Sequence, residues 1–90
     1  MFKRLRTIKG DTLALTFNKP NGFRRVSRAQ VTKGSGTPIA RFSNTINESE
    51  INVVLNCNDS SRMSGTYRYE VAIETDKGVH TIQHGILEVM

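Results

Sequence analysis

The 90-residue chain has no tryptophan and one cysteine, Cys57. A single cysteine excludes an intramolecular disulfide and any multi-cysteine metal site, so the fold must hold by packing alone. A lone thiol also suits assembly in a reducing cytoplasm. No apolar run approaches the roughly 20 residues that a membrane helix needs. Residues 1–9 are basic, but the apolar segment of a secretory signal does not follow them. There is no internal repeat and no low-complexity tail. Acidic residues are nearly missing from the first half: up to residue 45, ten basic residues face Asp11 alone. From residue 46 on, three basic residues face seven acidic ones, which leaves the whole chain at +5. Such asymmetry means either an acidic partner or strands of opposite charge lying side by side.

What is present is a series of short alternating runs separated by turn residues. Ninety residues make a single domain, 1–90, with a modest core. The apolar fraction of 37% is low but concentrated in these runs, which argues for a thin β architecture and against disorder. Residues 2–8 form a weakly patterned first strand. Thr12–Asn18 is a clean one, with Leu13, Leu15 and Phe17 on one face, and it ends at the turn Lys19-Pro20-Asn21-Gly22. Arg24–Lys33 breaks the period of two, which predicts a bend near Val26-Ser27 and a strand from about Arg28 to Lys33. A flexible loop, 34–38, leads to a short strand, Ile39–Ser43, with Ala40 and Phe42 inward. Asn44–Glu50 is a polar connection. Ile51–Cys57 is a strong strand whose alternation predicts a buried Cys57 thiol. Asn58–Ser64 is a polar crossover with room for a single helical turn. Gly65–Thr75 and Val79–Val89 form a hairpin around Asp76-Lys77-Gly78, the most apolar part of the sheet and its centre. A bulge at Gly85 is expected, to bring Ile82, Leu87 and Val89 to one face. About seven strands with little or no helix mark an antiparallel sandwich or barrel.

Few residues have the spacing of a chemical site. His80 and His84 on a strand lie roughly 13 Å apart, too far to share an ion. Asp59-Ser60-Ser61 lacks the surroundings of a nucleophile elbow. Asp11, Asp59 and Asp76 do not have the spacing of a calcium loop. Gly34-Ser35-Gly36 has neither the Lys-Ser/Thr pair nor the helix of a phosphate loop. No enzyme, cofactor or metal is expected. The candidate partner-binding residues are the cations of two basic segments: Lys3, Arg4 and Arg6, then Arg24, Arg25 and Arg28. Phe2 and Phe23 flank them. Exposed cations beside aromatics suit single-stranded nucleic acid, whereas arginines paired with the acidic strands, or facing a protein, make nucleic acid the lesser expectation. Gly65-X-Tyr67-X-Tyr69 after a polar loop resembles the tyrosine corner of immunoglobulin-like sandwiches, in which the hydroxyl bonds back to nearby backbone.

The order of segments carries a further resemblance. Gly-Asp-Thr-Leu-Ala-Leu-Thr-Phe (10–17), Val26–Val31, Ile51–Leu55, then GTYRYEV (65–71) and DKGVHTIQHGILEV (76–89) resemble a small Ig-like module of tailed-phage virion proteins. The module is similar to the N-terminal domain of phage baseplate upper proteins. The likeness covers about 80 residues in order, and the last two segments are its most specific part. It implies an all-β, Ig-like antiparallel sandwich that docks onto other virion proteins, capsid or tail and baseplate subunits. It also implies a protein made in the host bacterial cytoplasm that ends in the virion, with neither catalytic residue nor cofactor. In baseplate proteins the module begins a longer chain, so a free-standing copy is expected to act alone or as a homo-oligomer, as capsid decoration or a minor tail component. The alternative expectation is a small basic nucleic-acid-binding β-barrel of phage or prophage origin.

Overall fold

The computed structural model describes residues 1–34 and 38–90; of the loop expected at 34–38, residues 35–37 lie outside this range. The elements are β1 (Leu5–Thr7), β2 (Leu13–Asn18), β3 (Phe23–Thr32), β4 (Pro38–Arg41), β5 (Ser43–Ile46), β6 (Glu50–Leu55), α1 (Cys57–Ser60), β7 (Gly65–Thr75) and β8 (Gly78–Val89). Five strands form one sheet in the order β1-β8-β7-β3-β4, and three form the other, β2-β6-β5. This division, A′-G-F-C-C′ against B-E-D in the usual lettering, is that of an immunoglobulin-like sandwich. No strand pairing among the described residues closes the two sheets into a barrel.

Alternation builds the core. β6 turns Ile51, Val53 and Leu55 inward, and β7 does the same with Tyr67, Tyr69, Val71 and Ile73. Val31, Phe42, Met63, Leu87 and Val89 complete the cluster, with Leu13, Leu15, Phe17 and Ile82 half-buried against it. β7 is the middle strand of the larger sheet, as its apolar character predicts.

Tyr67 is a tyrosine corner. Its hydroxyl accepts from the Ser64 amide (2.8 Å) and donates to the Ser64 carbonyl (2.9 Å). These bonds fix the crossover by which the chain passes from β6 to β7. α1 sits in that crossover. Asn56 caps it by accepting from the Asp59 amide at 2.9 Å. Buried Ser60 docks it by donating from Oγ to the Asp11 carbonyl at 2.7 Å.

Several local expectations need correction. Cys57 is exposed, not buried. The Asn56 cap starts a helical turn, so strand alternation stops at Leu55. Arg24–Lys33 contains no bend that ends a strand: β3 is continuous from Phe23, and two register shifts, at Phe23/Arg25 and Val26/Arg28, absorb the broken period. The strand expected at Ile39–Ser43 is two strands in different sheets. The chain changes sheet at buried Phe42, whose amide donates to the Ala29 carbonyl at 2.8 Å. β5 occupies part of the expected polar connection, giving eight strands among the described residues where about seven were expected.

The last strand also differs. Its irregularity falls at Ile82, between the pairs Val71↔Gln83 and Ala72↔Thr81, and Gly85 is in register opposite Tyr69. Gly85 has another purpose. The N-terminal segment runs parallel to β8, with the His84 amide donating to Met1 O (3.0 Å) and the Lys3 amide donating to His84 O (2.8 Å). A Cβ on Gly85 would collide with the Lys3 carbonyl. β1 continues this parallel pairing, Leu5↔Leu87 to Thr7↔Val89, so the larger sheet is mixed, not wholly antiparallel.

Two substitutions test these joints in urea titrations. Tyr67→Phe should cost about 1 kcal/mol, the net value of the lost backbone bonds. Gly85→Ala should cost about 1–3 kcal/mol through overpacking, and amide exchange should show Lys3 and His84 losing protection together.

Candidate docking face

The outward side of the larger sheet is organised in rows set by strand register. His84, Glu70, Gln30 and Arg41 stand opposite one another across β8, β7, β3 and β4. The next row is Ile86, Arg68, Thr32 and Pro38. Exposed Phe2 joins the first row, its ring edge-on to His84 with centroids 5.6 Å apart. Phe2, His84, Glu70 and Gln30 of the first row and Ile86, Arg68 and Thr32 of the second line an open groove of about 580 Å³, and Arg41 and Pro38 on β4 lie beyond that lining. Arg41 and Arg68 are exposed and have no carboxylate within ion-pair distance among the described residues. The face thus joins free guanidinium groups to an aromatic ring, an imidazole and an aliphatic side chain.

The six cations proposed from sequence do not form one patch. Arg4 and Arg6 stand at β1 and share one carboxylate, Glu88, at 2.9 and 3.3 Å. Arg25 pairs with Glu74 at 2.9 Å and Arg28 with Glu70 at 3.1 Å. Glu70 also accepts from Gln30 Nε2 at 3.1 Å. Oppositely charged strands do lie side by side, β1 beside β8 and β3 beside β7, and this accounts for much of the charge asymmetry. Glu88 lies opposite Thr66. On β7, Thr66 is four residues from Glu70, the partner of Arg28, and eight from Glu74, the partner of Arg25, so the ion pairs of the two basic segments are separated by roughly 13 to 26 Å along the sheet. Lys3 and Arg24 are exposed without a carboxylate partner among the described residues. Phe23 packs half-buried against the core with the Lys19 ammonium 5.9 Å from its ring centroid, which leaves Phe2 as the exposed aromatic of the two.

Sequence analysis missed Arg41, Arg68, His84 and Ile86 as members of one surface. The outward phase of Arg68 and Glu70 was visible in the alternation of β7. Their neighbours on other strands depend on register, and register depends on bulges that local pattern does not locate. His80 and His84 are both exposed on β8, and among the described residues no three His, Cys, Asp or Glu side chains converge.

Beneath this face, the buried Tyr69 hydroxyl ties three segments together. It donates to Lys3 O at 2.7 Å and accepts from Gln83 Nε2 at 2.9 Å. Burial pushes the phenol above its ordinary value of 10.0, and the Gln83 bond partly opposes that rise.

No family model matches the chain, and no curated protein matches it. Among solved structures, a chain of the Titin M10-Obscurin like 1 Ig complex is similar, with 16% identity and a TM-score of 0.46 over 97% of this chain and 85% of that one. The Ig-like assignment stands on strand order and the tyrosine corner.

The Tyr69 environment predicts an alkaline limit to stability. The folded phenol is harder to ionise than the unfolded one, so the unfolded chain releases its proton first as pH rises. Stability should therefore be full below pH about 10 and fall as pH rises through the folded value. Urea midpoints measured from pH 8 to 12 should show this fall, and Tyr69→Phe should flatten it.

Proposed function

We propose that this protein is a non-enzymatic docking module that binds other proteins through the outer face of its five-stranded sheet. One observation carries the reading: a hydrogen-bonded sheet holds Phe2, His84, Ile86 and Arg68 around one open groove, with Arg41 on β4 in register with Gln30 of its lining. Aromatic residues and arginine are enriched in the buried centres of protein interfaces, and such centres supply most of the binding energy. Arg41 and Arg68, without an ion-pair partner among the described residues, suit a partner surface with carboxylates beside an apolar patch. Each exposed ion pair contributes only about 0–1 kcal/mol, so useful strength comes from several copies engaging at once.

The resemblance of GTYRYEV and DKGVHTIQHGILEV to tailed-phage virion modules supplies the finer reading. The chain would be a virion structural component that docks on capsid or tail and baseplate subunits, as capsid decoration or a minor tail or baseplate piece. Lys3 and Arg24 remain candidates for peripheral contacts. Arg4, Arg6, Arg25 and Arg28 would contribute mainly by holding the strands that carry the face.

Quantitative mass spectrometry of purified particles from the encoding phage tests the virion assignment. Copies in the hundreds per particle mean decoration, and a few to a few dozen mean tail, neck or baseplate. Absence from the particle overturns it. The docking face is tested separately by attachment of the pure chain to particles that lack it. Arg41→Glu/Arg68→Glu should weaken attachment about tenfold or more and reduce its sensitivity to salt. Attachment that ignores both the substitutions and salt would move the interface elsewhere.

A further inference from the structure

The smaller sheet ends on a strand whose outer edge has no partner among the described residues. β2 is the edge of the order β2-β6-β5, and it is six residues of unbroken register against β6, Leu13↔Leu55 to Asn18↔Glu50. Protein sheets normally guard such an edge with charge, proline, a bulge or shortness. The other edges have these guards. β1 is three residues long and flanked or filled by Arg4 and Arg6, β4 starts at Pro38 and ends at Arg41, and β5 is four residues long. β2, with the sequence LALTFN, has no charge, no proline and no bulge. Its inward side chains Leu13, Leu15 and Phe17 are only half-buried, whereas their cross-strand partners Leu55, Val53 and Ile51 are fully buried. Another strand alongside would finish covering them.

The phase of the ladder shows which backbone groups face outward. The Lys19 amide donates to Ser49 O at 2.9 Å, continuing the register of Asn18 opposite Glu50. Odd-numbered residues therefore bond to β6, and the amides and carbonyls of Thr12, Ala14, Thr16 and Asn18 point away from it. Two copies of β2 laid antiparallel about Leu15 place Ala14 opposite Thr16 of the second copy, and Thr12 opposite Asn18. These are the residues with free backbone groups, so the register satisfies the open edge on both sides. The same register puts Leu13 opposite Phe17 and Leu15 opposite itself on the inner face.

Charge selects this register. Asp11 and Lys19 flank the uncharged strand, each four residues from Leu15, and both share its phase. Antiparallel pairing about Leu15 brings each Asp11 opposite Lys19 of the second copy. Among the described residues Asp11 has no ion-pair partner within the chain, and the Lys19 ammonium only donates to the Asn47 carbonyl at 3.1 Å and lies near Phe23. A modest swing of the lysine makes the new pair. We propose that the occupant of the β2 edge is a second copy of this chain, giving a two-fold dimer with a continuous six-stranded sheet, β5-β6-β2-β2-β6-β5. A two-fold interface must be self-complementary, and this segment is so in backbone, apolar face and charge. The dimer would present two copies of the five-stranded docking face on its outer sides, but its formation does not depend on that proposed use.

Sedimentation velocity of the full chain over about 5–200 µM at about 150 mM salt tests the proposal. A mass of twice the 10.1 kDa chain, rising with concentration, is the expected result. Ala14→Pro removes an outward amide, a change that edge strands tolerate, and it should abolish the dimer with the circular dichroism spectrum unchanged. Asp11→Lys and Lys19→Asp should each weaken the dimer about tenfold, and the two together should restore it. The charge exchange keeps the proposal open to refutation should Ala14→Pro fail to fold. A chain that stays monomeric throughout this range overturns it. So does a dimer indifferent to Ala14→Pro and to both charge reversals, and so does pairing of this edge with a different protein but not with itself.

Discussion

The packing of β6 against β7 is the contact on which the rest of the molecule depends. Each is an interior strand of its sheet, and together they supply seven side chains of the packed core cluster, Ile51, Val53, Leu55, Tyr67, Tyr69, Val71 and Ile73. With one cysteine in the chain, no covalent bridge can take over this task. In antibody domains a disulfide crosses the sandwich, with its second cysteine two residues after the corner tyrosine. In this chain the residue two places after Tyr67 is Tyr69, which fills the space with a ring and anchors its hydroxyl to Lys3 and Gln83. Volume and two hydrogen bonds stand where a cross-link would be.

That substitution couples the core to the surface. Tyr69 holds the carbonyl of Lys3, the N-terminal segment runs over Gly85, and Phe2 is thereby placed against His84 at the mouth of the outer groove. The docking face thus rests on a buried phenol one layer below it. The ion pairs have a related part. Glu70, Glu74 and Glu88 spend their charge on neighbouring strands, which leaves Arg41 and Arg68 as the uncompensated cations of the outer rows. An electrostatic surface is defined here by what the internal pairs do not neutralise.

The legible parts of the fold were those in which period-two alternation ran unbroken. β2, β6 and β7 are of this kind, and the corner at Tyr67 followed from the polar loop before it. The illegible parts share one cause, a decision made by a partner distant in sequence. The broken period over Arg24–Lys33 reflects two register shifts against β7, and nothing local separates a bulge from a bend. The chain's change of sheet at Phe42 is invisible because strands of either sheet show the same alternation. Cys57 kept the phase of Ile51, Val53 and Leu55, but the Asn56 cap overruled it. Gly85 sat where a bulge would be useful, yet its cause is the Lys3 backbone, more than eighty residues away in sequence. The candidate site was legible to the same limited degree. The basic segments could be named, but their separation along the sheet, and their internal partners, required the register of β7 with β8 and β3.

The parallel alignment of β1 with β8 also governs how the domain would bear a pulling force. Met1 lies beside His84, whereas Met90 lies beyond Val89, where its amide donates to Thr7 O and its carbonyl accepts from the Lys9 amide. Tension entering at Met1 and leaving at Met90 would therefore slide the two strands lengthwise past each other. Such a load falls on the hydrogen bonds of the ladder together, not on one pair after another as in peeling. The collar of backbone around Gly85 and the Tyr69–Lys3 bond lie in the same line of force. A small domain without a disulfide would thus meet tension between Met1 and Met90 with its β1–β8 ladder loaded in shear.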